Sequence, residues 1–224
     1  YTKLQIGIEN MKKIIIALAI LLPMHVSAKE NSHGVHKEVS DKVIAKQRAN
    51  LEANTKNKGF GPQSPRDIDA ITGSNSRLFG IAPQSSQMNL CNIHFHKNAE
   101  HKGGQFTKYA GNGDGHGYQS GYKYSGKLNA SELKSAGHEI CPSKHGALSA
   151  GDTIEVHYVH STAQINPGPT LGSCLSDAIK NPQLRVETQV YVLVNDKNAL
   201  DFTNLTKHGK TNGLHQAMNI PSNT

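Results

Sequence analysis

Hydrophobic and polar positions alternate with period two in three stretches, and these set the expected architecture. From Cys91 to Lys97 the run Cys-Asn-Ile-His-Phe-His-Lys puts Asn92, His94 and His96 on one face of a strand and Ile93 and Phe95 on the other. From Thr153 to His160 the same alternation puts Glu155 and His157 on one face. Leu184 to Val194 is the clearest strand, bounded by Pro182 and by Asn195-Asp196. Its alternation fades from Val190 onward, where both faces become apolar, as in a strand buried at one end.

Elsewhere the pattern is weaker. Val39, Val43, Gln47 and Leu51 recur every fourth position, which predicts a helix from Ser40 as cap to about Asn54, a surface or linker element. Asn129–Ala136 predicts a short helix, and Tyr118, Tyr122 and Tyr124 alternate like an edge strand. The cluster from Gly59 to Pro65 reads as a fixed loop, and residues 66–90 as short strands and turns. The Gly-rich run from Gly111 to Tyr118 lacks the phosphate-loop pattern and no helix follows it, so it reads as a flexible surface loop. After Val194 the chain is polar and predicts no closing strand. The expected fold is mainly β (α+β): a single domain around a central, mostly antiparallel sheet.

A length of 224 residues suits one domain plus appendages. The net charge of +7 comes from lysines scattered along the chain. There is no basic helix face and no aromatic-interleaved basic stripe, so nucleic acid is not an expected partner. From Met11 the sequence reads Met-Lys-Lys, then an apolar run from Ile14 to Leu22, then Val26-Ser27-Ala28. That is the pattern of a secretory signal peptide over 11–28, cut after Ala28. The apolar run is well short of the ~20 residues that span a bilayer, so no stable membrane insertion is expected after cleavage. Residues 1–10 are then expected to lie upstream of the mature protein. Residues 29–58 form a polar linker or helix, and 59–224 the domain itself. The expected destination is the periplasm or the exterior. Export permits a disulfide, and Cys91, Cys141 and Cys174 allow one, with the pairing open.

The chemistry sits on the alternating strands. Two imidazoles two residues apart on one face reach one metal ion, and the second strand supplies a third. His94, His96 and His157 are therefore candidate ligands of one zinc. Asn92 and Glu155 each lie two residues before a ligand on the same face, placed to hold its ring in one tautomer. Three neutral imidazoles leave the ion its full charge, which brings the pKa of a coordinated water to about 7. Among the other histidines, His25 leaves with the signal peptide. His33, His36, His208 and His215 lie in polar segments and read as solvated. His138 and His145 flank Cys141 and read as surface residues, with a secondary metal site as the other reading. His160 points away from His157 and reads as a packing or hydrogen-bonding residue.

Three segments together resemble the delta-class carbonic anhydrases: Cys91 to His101, Gly151 to Ser161, and Asn181 to Asp196. Gly61-Pro62-Gln63-Ser64-Pro65 also resembles the Gln-Ser-Pro segment of the alpha class, whose zinc strands likewise read His-x-His and Glu-x-His. The resemblance covers residues 59–205. It implies zinc-dependent, reversible hydration of carbon dioxide to bicarbonate, with His94, His96 and His157 as ligands and Glu155 orienting the third. Glu100 matches the buried acid of the alpha-class gatekeeping pair and is the implied catalytic residue. Val159 and Val192 are candidates for the apolar carbon dioxide pocket. The chain departs from the alpha-class pattern in two places. No threonine can be placed as the gatekeeping partner, which leaves open whether the domain is truncated at its C-terminus. No histidine stands at the proton-shuttle position either.

Two other classes compete. His94-x-His96-x-x-x-Glu100 has the ligand spacing of a cupin, which would make Glu100 a fourth ligand and admit iron or manganese. Against this, Met88 stands where a cupin usually has glycine. A non-enzymatic periplasmic zinc-binding protein also fits a His-rich surface, but it would tolerate loss of Glu100. The oligomeric state is not legible.

Overall fold

A computed structural model describes residues 5–7, 38–57 and 82–220. The expected signal peptide over 11–28 and the Gly59–Pro65 cluster lie outside the described residues.

Three long strands form the body of the molecule. β2 (Asn89–Lys97) pairs antiparallel with β5 (Thr153–Ser161), and β5 pairs antiparallel with β6 (Leu184–Val194). β5 and β6 are rich in β-branched and aromatic residues, which suit a half-buried pleated surface, and β2 adds Ile93 and Phe95. β1 (Gln5–Gly7) runs parallel to both β6 and β7 (Leu200–Asp201), giving the sheet order β2-β5-β6-β1-β7.

One face of this sheet carries the core. Leu90, Ile154, Val156, Tyr158, Tyr191 and Leu193 are buried there, with Ile93 and Phe95 packed alongside. Phe202 and Leu205 close the core from α2 (Phe202–Leu205), and Phe202 meets Phe95 edge to face at 5.6 Å between ring centroids. By simple alternation Leu90 would share a face with Asn92 and His94. A bulge between Leu90 and Asn92 inserts Cys91 and shifts the register, so that Leu90 turns into the core.

Glycine and asparagine turns bring smaller pieces onto this frame. β3 (Lys108–Gly111) and β4 (Gly121–Lys123) form a hairpin. Its Tyr122 exchanges two 2.8 Å backbone hydrogen bonds with Ala99, just past the end of β2. β8 (His208–Thr211) and β9 (Leu214–Ala217) form a second hairpin, anchored to the start of β2 by the His215 N–H donating to Asn89 Oδ1.

Several expectations change. Asn129–Ala136 is a set of turns rather than a helix; Glu132 is drawn in to accept from the Asn129 N–H and from Gln5 Nε2. Of the tyrosine series only Tyr122 lies in a strand, while Tyr118 stacks on His145 at 3.7 Å. The chain after Val194 does supply closing structure, in β7, α2 and the β8–β9 hairpin. The Gly-rich run is anchored to other structure: Asn112 Nδ2 donates to Val39 O and Asp41 Oδ1, and the Val39 N–H donates to Gly113 O. These bonds fasten the start of α1 (Asp41–Thr55), the expected helix. Ser40 stands at its N-cap, but its side chain makes no capping bond.

Candidate metal centre

The face of the sheet opposite the core carries the histidines. The register puts His94 directly across from His157, and His96 across from Glu155. The three rings meet with centroids 4.9–5.2 Å apart. Among the described residues, His94, His96 and His157 form one group whose nitrogens lie within 4.8 Å of one another. His138 and His145 belong to no such group among the described residues.

Hydrogen bonds at the back of two rings fix which nitrogen faces inward. Asn92 is buried, and its Nδ2 donates to Gly168 O at 2.9 Å. Its Oδ1 therefore faces His94, and His94 Nδ1–H donates to it at 2.6 Å. The lone pair of His94 is left on Nε2. Glu155 is likewise buried; its Oε1 accepts from His157 Nε2–H at 2.7 Å and its Oε2 accepts from the Glu100 backbone N–H at 2.8 Å. The lone pair of His157 is left on Nδ1, 3.2 Å from His94 Nε2. His96, whose ring sits beside both, has a buried Nε2 with no hydrogen-bond partner. Two lone pairs facing at 3.2 Å beside an unpartnered third nitrogen fit a cation, and the donor set of three imidazoles suits a borderline-soft divalent ion.

The electrostatics favour neutral rings. Burial, followed by the charges of His157 and His96, takes His94 down to about 4. Burial also lowers His96, with Glu100 opposing. Burial alone would raise the Glu155 carboxyl, but the bonds from His157 and Glu100 and the nearby imidazoles hold it below its ordinary value.

A family model described as Delta carbonic anhydrase matches residues 85–224, more than half of the chain. The chain belongs to the delta carbonic anhydrase family. It is accordingly an enzyme that interconverts carbon dioxide and bicarbonate, and its three imidazoles are the group that can hold the metal ion. No curated protein and no solved structure matches the chain.

Other site expectations of this carbonic anhydrase are relocated. Glu100 is not a buried acid: its side chain is 44% exposed, with Oε1 3.7 Å from His96 Nδ1. It groups with Glu155 and His157 rather than with the three imidazoles, so the cupin-like set of four ligands does not converge. Val159 packs against Cys91 and Cys174, and Val192 is fully buried, so neither presents surface beside the rings. Instead Val186 and Thr188, both exposed on β6, lie on the register rows of Val159 and His157. His160 is buried and its Nδ1–H donates to Tyr158 O.

The disulfide joins Cys91 to Cys174 across 83 residues of chain, while Cys141 keeps a buried thiol. Sequence reasoning missed the Gly168 carbonyl and the Glu100 amide, which hold Asn92 and Glu155. Backbone groups carry no residue signature, so no motif marks them.

Proposed function

We propose that the metal is zinc, held by His94 Nε2, His96 Nε2 and His157 Nδ1, and that carbon dioxide hydration takes place on this face of the sheet. The observation that carries the reading is the 3.2 Å approach of His94 Nε2 to His157 Nδ1, each left as an acceptor by the partner behind its ring. When bound, zinc supplies a Lewis acid that makes hydroxide available near neutral pH. The protein's own groups do the rest. Asn92 keeps a proton on His94 Nδ1, and Glu155 keeps one on His157 Nε2, so both rings stay neutral and rigid. The Glu100 carboxylate lies 3.7 Å from His96 Nδ1, too far for a hydrogen bond, and supplies negative charge beside the third ring. Val186 and Thr188 border the open side, where a small neutral substrate enters.

The signal-peptide pattern over 11–28 supports export to the periplasm or beyond, and a disulfide suits an oxidising compartment. On that reading the mature chain lacks β1, and the sheet keeps its three long strands β2, β5 and β6. Among the described residues no helix is long and apolar enough to cross a membrane.

The test is stopped-flow carbon dioxide hydration with zinc content measured on the same sample. Activity that rises with zinc occupancy and falls to background with a chelator supports the reading. Stoichiometric zinc without activity overturns it.

A further inference from the structure

The loop between β5 and β6 carries the Cys174 half of the disulfide and also touches the back of the metal site. Gly168 donates its N–H to Cys91 O at 3.0 Å and accepts from Asn92 Nδ2 at 2.9 Å. The Cys174 carbonyl is held by Ser161 Oγ at 2.7 Å, so the disulfide end of the loop is fastened at the end of β5. The neighbouring residues from Pro169 to Gly172 are exposed and contribute nothing to either core cluster.

An asparagine amide presents an oxygen on one side and an NH2 on the other. Which side meets His94 depends on what the other side meets. With Gly168 O in place, the NH2 is taken and the oxygen faces His94 Nδ1. Without it, the amide can rotate and offer its NH2 to His94 Nδ1, which then becomes the acceptor. The proton moves to Nε2, the nitrogen that should bind the metal.

We infer that the Cys91–Cys174 disulfide and the Gly168 carbonyl are positioning elements for His94. They act by fixing the Asn92 amide and so the imidazole tautomer. The inference rests on the reading of His94 as a metal ligand.

Zinc affinity of the full chain, read by competition with a chromophoric chelator, tests it. Cys174→Ser removes the covalent tether and leaves the loop its hydrogen bonds to Ser161 and Cys91, and should weaken zinc binding by roughly 10–100-fold, the usual cost of losing an outer partner of a ligating histidine. Asn92→Asp in that background should restore most of the affinity, because either carboxylate oxygen accepts from His94 Nδ1 without help from Gly168. A loss in Cys174→Ser that Asn92→Asp leaves untouched would mean a general structural effect and would overturn the inference. Unchanged affinity in Cys174→Ser would overturn it too.

If Cys174→Ser does not fold, Gly168→Ala carries the test with the disulfide intact. A Cβ there lies 2.1 Å from Ser173 Oγ and 2.9 Å from Ser173 Cβ, so the hydroxyl must rotate away and the main chain between them must give slightly. Weaker zinc binding in Gly168→Ala, recovered when Ser173→Gly is added, supports the inference; tight binding in Gly168→Ala overturns it. His94→Ala serves as control. If it binds zinc like the parent chain, the ligand reading fails, and the inference fails with it for that separate reason.

Discussion

His94 and His157 face each other across the β2–β5 pair, with Nε2 of the first 3.2 Å from Nδ1 of the second. Each ring is braced from behind by a side chain two residues earlier on its own strand, His94 by Asn92 and His157 by Glu155. Strand periodicity delivers this arrangement, because residues i and i+2 share a face.

Removing one of the facing rings should dismantle the site. His157→Ala is expected to lose both stoichiometric zinc and carbon dioxide hydration, while the fold survives because His157 lies on the face opposite the core. Metal analysis and stopped-flow assay on one sample check this, and zinc retained at full occupancy would refute the assignment.

Glu155 uses both oxygens, one for His157 Nε2–H and one for the Glu100 amide. Glu155→Gln keeps the shape but replaces one acceptor with a donor, so one of the two N–H groups must lose its partner. Metal affinity should fall roughly 10–100-fold, as for other outer-sphere changes. Chelator competition measures it, and an unchanged constant would show that Glu155 does not orient the ligand.

The metal-free protein should lose stability as pH falls from 6.5 toward 4. His94 titrates at about 4 in the folded chain because of burial and its imidazole neighbours, against an ordinary 6.5. Between those values the unfolded chain binds a proton that the folded chain refuses. Stability is therefore full above 6.5 and declines as pH drops through this window. Glu155, also held below its ordinary value, pulls in the same direction at lower pH. Urea unfolding midpoints at pH 7, 6 and 5 should decrease in that order.

Gly121 has φ +105°, and a Cβ there would sit 2.3 Å from the Ala99 carbonyl oxygen. Ala99 precedes Glu100, whose amide holds Glu155. Gly121→Ala should therefore destabilise the fold by about 1–3 kcal/mol and also loosen metal binding in the molecules that fold. A thermal melt together with chelator competition separates the two effects.

Cys141 is buried, and burial raises its thiol pKa. Alkylation without reductant should be slow in the folded protein and fast in denaturant, because the thiolate is the reactive species. Peptide mapping should recover Cys91 linked to Cys174; a linkage through Cys141 would contradict the pairing.

The sequence by itself determined the three long strands and the face each histidine occupies. Hydrophobic alternation is a local property, and a pleated strand reads it directly. It also located α1, whose four-residue spacing is equally local, and the family resemblance. It did not determine the disulfide partner, the turns at 129–136, the closing hairpin of polar residues, or the exposed position of Glu100. The β8–β9 hairpin is legible only through its anchor at Asn89, far away in sequence. Leu90 breaks the alternation because a bulge at Cys91 costs one residue of register, which no side-chain pattern announces. Above all, tertiary structure decided what stands behind the ligands. The groups that fix Asn92 and Glu155 are a carbonyl and an amide of the main chain, identical at every residue, and only folding brings Gly168 and Glu100 to them.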